Sequence, residues 1–124
     1  MNSTTSAEAV VQRQLDAYNA RDIDALMATY ASDAEIFDHP SKPLGKGSAE
    51  LRERYAARFK EPNLHARLLR RIVMGNRVVD HESVTRTFPE GPGELELIMI
   101  YEVQNDRIAR AWSIVGTKTL TPKL

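Results

Sequence analysis

The spacing of apolar positions divides the chain into two halves. In "AEAVVQRQLDAYNA", Val11, Leu15 and Tyr18 recur at i, i+4 and i+7, with Gln14 on the same stripe. That is the period of a helix with one buried face. In "DIDALMATY", Ile23, Leu26, Met27 and Tyr30 recur at i, i+3, i+4 and i+7, which predicts a second helix with Asp22 as its N-cap. The stretch "AEIFDHP" reads as a short strand stopped by Pro40. A loop with Pro40, Pro43, Gly45 and Gly47 then leads to a third helix, "SAELRERYAARF". Leu51, Tyr55 and Phe59 share one face of it, and Pro62 lies just past its end.

In the second half the segments read as strands. "LHARLLRRIVM" and "RVVDHESVTRTF" meet at Gly75–Asn76, a hairpin signal, and "FPEGPG" turns the chain again. "ELELIMIYEVQ" and "RIARAWSIV" are joined at Asn105–Asp106. Helices followed by antiparallel strands predict an α+β fold. The simplest packing places three N-terminal helices on a curved, mostly antiparallel sheet, forming a cone with an internal pocket. The 124 residues fit one domain spanning 1–124, with residues 1–6 frayed.

Strand parity assigns faces, because successive side chains point to opposite sides. Leu95, Leu97, Met99, Tyr101 and Val103 form the natural core set of their strand. In the last strand, Ile108, Arg110, Trp112 and Ile114 oppose Ala109, Ala111, Ser113 and Val115. With the small set inward, Trp112 and Ile114 join Ile98 and Ile100 in an outer apolar patch, which predicts a homodimer through the outer sheet face. The inverse parity would make Trp112 a core residue.

Charge narrows the partners. Lys plus Arg is 17 and Asp plus Glu is 17, so nothing electrostatic recruits nucleic acid or an anionic membrane. No segment approaches the roughly 20 apolar residues of a membrane helix, and the N-terminal residues lack a signal-peptide pattern. The absence of cysteine removes thiolate chemistry and leans the expectation toward the cytoplasm. His39, His65 and His81 have no metal-ligand spacing, and Thr85 stands where a zinc helix beginning at His81 would need its second histidine. No metal and no cofactor are expected.

What remains is single residues facing a pocket. Asp38 shares parity with Ile36 on an apolar face. A partly buried carboxylate there has a raised pKa and serves as a base near neutral pH; the alternative is a turn cap beside Pro40. Tyr18, Tyr30 and Tyr55 sit on inward helix stripes, as oxyanion donors or as plain core residues. Asp80, Glu82, Val84 and Arg86 share one face of their strand, against His81, Ser83, Thr85 and Thr87. Arg86 is expected to pair with Glu82 in solvent or across strands. Turned inward, it would argue for a smaller, oxygenated or anionic ligand. Arg67, Arg70 and Arg71 read as a solvated sheet edge.

The stretch "VVQRQLDAYNARDIDALMATYASDAEIFDHP", with "GKGSAELRERY" after it, resembles the N-terminal half of bacterial ketosteroid isomerases. These belong, with polyketide cyclase-like proteins, to the α+β superfamily named after nuclear transport factor two. The resemblance covers residues 9 to 60 and is vaguer beyond. It implies the architecture above, usually dimeric, and places Asp38 where those enzymes hold their proton-shuttling base. It places Gln14 and Met99 where they hold the two donors of the oxyanion hole. An amide can donate there; a thioether cannot.

The sequence therefore predicts a cofactor-independent isomerase of the steroid delta-isomerase type. Asp38 would be the general base, Tyr18, Tyr30, Tyr55 or Gln14 would polarise the carbonyl, and Met99, Tyr101, Val84, Glu82 and Arg86 would line the pocket. The rivals are a non-catalytic binding or accessory protein of the same fold, or a polyketide cyclase or epoxide hydrolase. The last gains if Asp80 or Glu82 faces Asp38.

Overall fold

The computed structural model describes residues 6–122. The elements in chain order are α1 (Ala7–Ala20), α2 (Ile23–Met27), β1 (Tyr30–Asp38), β2 (Lys42–Lys46), α3 (Gly47–Arg58), β3 (His65–Met74), β4 (Arg77–Phe88), β5 (Gly91–Gln104) and β6 (Arg107–Leu120). Of the segment expected to fray, residues 1–5 lie outside the described residues. Ser6 departs from that expectation: its hydroxyl accepts from the Ala9 amide at 3.1 Å and caps α1. Asp22 caps α2 as predicted, accepting from the Ala25 amide at 3.1 Å.

One sheet carries all six strands in the order β2-β1-β6-β5-β4-β3. Every pairing is antiparallel except β1 with β6, which is parallel. The sheet is curved and unclosed, with β2 and β3 as its edges. α1 packs against β3 to β6, and α3 against β1 and β2. The main core lies between these layers, with Val10, Val11, Leu26, Leu51, Val78 and Ile108 fully buried. Asn105 and Asp106 both take positive φ (51° and 60°), so the β5–β6 hairpin turns with the twist of its strands.

Four expectations are corrected. α2 ends at Met27 and Tyr30 begins β1; an apolar stripe at helical spacing continued by chance across a helix-to-strand change. The segment expected as a loop contains β2, where Pro43 is tolerated because the strand is an edge. Ile108 is buried rather than outward, because the β5–β6 register shifts between Glu102 and Val103. Arg71 leaves the solvated set: a shift between Leu68 and Arg70 puts it opposite Asp80, while Arg67 and Arg70 remain exposed. For the rest of β6 the predicted parity holds. Ala111 and Ser113 are buried, Trp112 is half-buried and Ile114 exposed on the other face, beside Ile100 and Ile98.

Candidate active site

Between the helices and the inner sheet face lies a cavity of about 310 Å³, at the lower end of ligand-site sizes. Four predicted residues enter it from the inner parity set: Glu82 and Val84 on β4, Met99 and Tyr101 on β5. Arg86 reaches it at the end of β4. Asp38 enters from β1, and Gln14, Tyr18 and Tyr55 from the helices.

Asp38 is half-buried at the C-terminal end of β1. Its strand position is set by β6: Asp38 lies opposite Ser113, whose carbonyl accepts from the His39 amide at 2.8 Å. Among the described residues none donates a hydrogen bond to its carboxylate, so the side chain is no turn cap. Its row of the sheet continues through Ser113 and Met99 to Asp80. Glu82 is one inward position further along β4, opposite Leu97. The two carboxylates thus approach from β1 and β4, three strand spacings apart, or about 14 Å along the sheet, and both face the hollow the sheet curves around.

Glu82 is 4% exposed, and among the described residues it has no hydrogen-bond or ion-pair partner. Its oxygens open onto the cavity instead. Burial pushes its pKa up to about 8; the nearby Asp80 charge adds to the rise and Arg71 opposes it. At neutral pH the group is mostly a carboxylic acid, able to donate a hydrogen bond. Asp80, two residues earlier and 0% exposed, is different. Arg71 grips both its oxygens, Nε at 2.7 Å and Nη2 at 3.0 Å, and Arg71 Nη1 donates to Gln12 Oε1 at 2.8 Å.

A chain of neutral side chains links the sheet to the helices at the cavity. The Tyr101 hydroxyl donates to Gln14 Oε1 at 3.4 Å, and Gln14 Nε2 donates to the Tyr30 hydroxyl at 3.4 Å. Tyr30 and Tyr55 share a 2.6 Å contact between hydroxyls. The Tyr30 proton needs an acceptor, and Tyr55 is the one within reach, so the Tyr55 proton is left to point into the cavity. Burial raises the pKa of Tyr30, Tyr55 and Tyr101, so all three stay protonated. Tyr30, predicted as a direct donor, does not line the cavity and lies behind Tyr55. Tyr18 does line it; burial pushes its pKa up to about 12 against the pull of the neighbouring Arg58.

The expected Glu82–Arg86 pair is not formed. The two lie on one strand face, four residues apart, and Arg86 instead grips Glu61, Nε at 3.2 Å and Nη2 at 2.7 Å. Arg54 and Arg58 also line the cavity and were missed. The signal was present: Leu51, Arg54, Tyr55 and Arg58 follow i, i+3, i+4 and i+7, so the buried stripe of α3 carries two arginines at its cavity end. Among the described residues no cluster of metal-ligating side chains occurs. None of the helices there is long and apolar enough to cross a membrane.

Helices packed on a curved, unclosed six-stranded sheet, with a cavity on its inner face, are the arrangement of the nuclear transport factor two-like class. The SnoaL-like domain family matches residues 11–111, and the chain belongs to that family. Among solved structures it is similar to an uncharacterized cystatin-fold protein from Novosphingobium aromaticivorans, with 24% identity, 90% of this chain and 99% of that one covered, and a TM-score of 0.82. It is also similar to a provisionally assigned polyketide cyclase from Sinorhizobium meliloti, with 27% identity, 84% and 92% covered, and a TM-score of 0.69. A third is a provisionally assigned ketosteroid isomerase from Kribbella flavida, with 16% identity, 94% and 82% covered, and a TM-score of 0.76.

Proposed function

We propose that this protein is a cofactor-independent acid–base enzyme that enolises a carbonyl substrate, with steroid delta-isomerase-like proton transfer as its reaction. The observation that carries this is one cavity holding two carboxyl groups in different surroundings, Asp38 at a half-buried strand end and Glu82 buried without a partner. Divergent environments of that kind separate a base from an acid.

In this reaction Asp38 removes the proton from the carbon between the ketone and the alkene. The electrons of that C–H bond move toward oxygen, giving a dienolate. The protonated Glu82 and the free Tyr55 hydroxyl donate to that oxygen, supplying what Met99 cannot. Gln14 serves by holding Tyr30, and through it Tyr55. Asp38, now the acid, returns its proton to the far end of the dienolate, and the double bond comes into conjugation. The sheet folds around the substrate as a cone. Two copies pair through Ile98, Ile100, Trp112 and Ile114, and the cysteine-free chain suits a reducing cytoplasm.

Turnover of a β,γ-unsaturated steroid ketone, followed by the ultraviolet absorbance of the conjugated product, tests the assignment. Wild type turns over, and Asp38→Asn falls by about 10²-fold or more, the scale of a general base. A silent wild type that still binds the ketone leaves the non-catalytic binding protein as the better account.

A second reading has its own support, since Glu82 lines the same cavity as Asp38. With Asp38 activating water or a carbon nucleophile and Glu82 protonating the oxygen opposite, the same pair suits an epoxide hydrolase or a polyketide cyclase. The likeness to the Sinorhizobium meliloti protein favours the cyclase form.

A further inference from the structure

Arg54 lines the cavity from α3, half-buried, and among the described residues no carboxylate stands within ion-pair distance of it. Glu50 and Glu53 share a surface hollow with it, but neither comes that close. The other arginines of the cavity are engaged. Arg86 donates to both oxygens of Glu61, and Arg58 Nε lies 3.5 Å from the same carboxylate. Asp38 lines the same cavity from β1, and among the described residues it too has no ion-pair partner. A guanidinium and a carboxyl group that share a cavity without touching leave a gap that a ligand can bridge.

Arg54 directly precedes Tyr55 on α3, and both open onto the cavity. The Arg54 charge reaches the Tyr55 hydroxyl, where it opposes the rise in pKa that burial imposes. α3 itself packs against β1, the strand that ends in Asp38. The free guanidinium is therefore a neighbour of the hydroxyl assigned above to the reacting carbonyl. A molecule that uses both has its anionic group only a bond or two from its ketone.

Resting on the acid–base reading of this cavity, we infer that the substrate is a β,γ-unsaturated 2-oxo acid, whose carboxylate Arg54 binds while Tyr55 and Glu82 donate to the adjoining ketone oxygen. A carboxylate is the natural complement of a guanidinium fork, and Arg54 has its fork free. The reaction keeps every atom. Asp38 takes a proton from the carbon between the ketone and the alkene, the electrons of that bond move to the ketone oxygen, and the proton returns to the far alkene carbon. Enolising beside a carboxylate places a second negative charge next to the first, and the Arg54 cation offsets it in a site that water reaches poorly. Val84, Leu95 and Leu97 give the cavity apolar wall for the hydrocarbon tail.

The test is a matched pair of substrates, propenylpyruvate and its methyl ester, followed by the ultraviolet absorbance of the conjugated products. The ester keeps the activated ketone and loses only the charge. Wild type turns over the acid with kcat/KM at least about 10-fold above the ester, the scale of a hydrogen bond to a charged group. Arg54→Gln, which disturbs no ion pair, lowers kcat/KM for the acid by about 10-fold more than for the ester. Arg54→Lys restores part of the difference, since it keeps the charge without the fork. Equal turnover of acid and ester, or an Arg54→Gln variant that loses both alike, keeps the proton transfer and overturns the carboxylate seat. Turnover of neither compound, nor of the β,γ-unsaturated steroid ketone, removes the acid–base reading and the inference with it.

Discussion

Asp80 and Glu82 occupy the same strand face, two residues apart, both acidic and both buried, yet their surroundings have little in common. Asp80 has a guanidinium on both oxygens, and that guanidinium is itself tied to α1 through Gln12. Glu82 has only cavity in front of it. The first site solves the cost of a buried charge by pairing it; the second solves it by keeping a proton. A paired charge holds structure in place. A group that holds its proton until about pH 8 can give or take one during a reaction. The contrast singles out Glu82 as a candidate for chemistry, where residue type alone does not.

The largest way to break the contrast is on the paired side. Asp80→Ala leaves Arg71 buried without its partner and should cost about 3–5 kcal/mol in chemical denaturation. The double replacement Asp80→Leu/Arg71→Met should recover most of that loss.

Next is the pH response of Glu82. Its folded pKa, about 8, lies above the ordinary 4.5, so the folded state holds the proton more tightly than the unfolded one. Its stabilising contribution is therefore full below about pH 4.5 and is lost as pH rises through about 8. Urea midpoints should decline over that window by the equivalent of a few kcal/mol, and Glu82→Gln should flatten the decline. An unchanged profile in Glu82→Gln would mean the unpaired carboxyl is not the group responsible.

Effects on turnover follow. In the proposed reaction Glu82→Leu removes a donor to the developing oxyanion and should lower kcat by about 10²-fold, while Glu82→Gln, still a donor, should lose less. Tyr55→Phe removes the terminal proton of the tyrosine chain and should lower kcat by about 10-fold, with KM little changed. The smallest effect on catalysis belongs to the outer face. Ile114→Lys should convert the proposed dimer to a monomer in sedimentation while leaving the turnover of each chain nearly intact.

Much of this contrast could be read before folding. The parity set Asp80, Glu82, Val84 and Arg86 was visible as alternation, and so was the inward set of β5. Which acid is paired was not visible. Arg71 reaches Asp80 only because β3 shifts register between Leu68 and Arg70, and a one-residue shift reverses every face assignment after it. Tyr30 fitted a helical stripe and a strand start equally well. β2 was hidden because Pro43 and Gly45 argue against a strand unless the edge position is known. Asp38 stood out because aspartate is rare on an apolar strand face. Arg54 and Arg58 were legible as spacing but not as intent, since arginines on a helix usually reach solvent.

The parallel pairing of β1 with β6 sets a condition on when the site can exist. Asp38 takes its place from Ser113, some 75 residues later in sequence, with the His39 amide bonded to the Ser113 carbonyl. A chain still emerging from the ribosome, or one cut before Arg107, carries every predicted helix and the aspartate itself but nothing to align it. Such distant contacts form late and slow the folding of a domain. The proposed base therefore becomes competent only once the last strand has docked, so activity reports completion of the fold rather than its beginning.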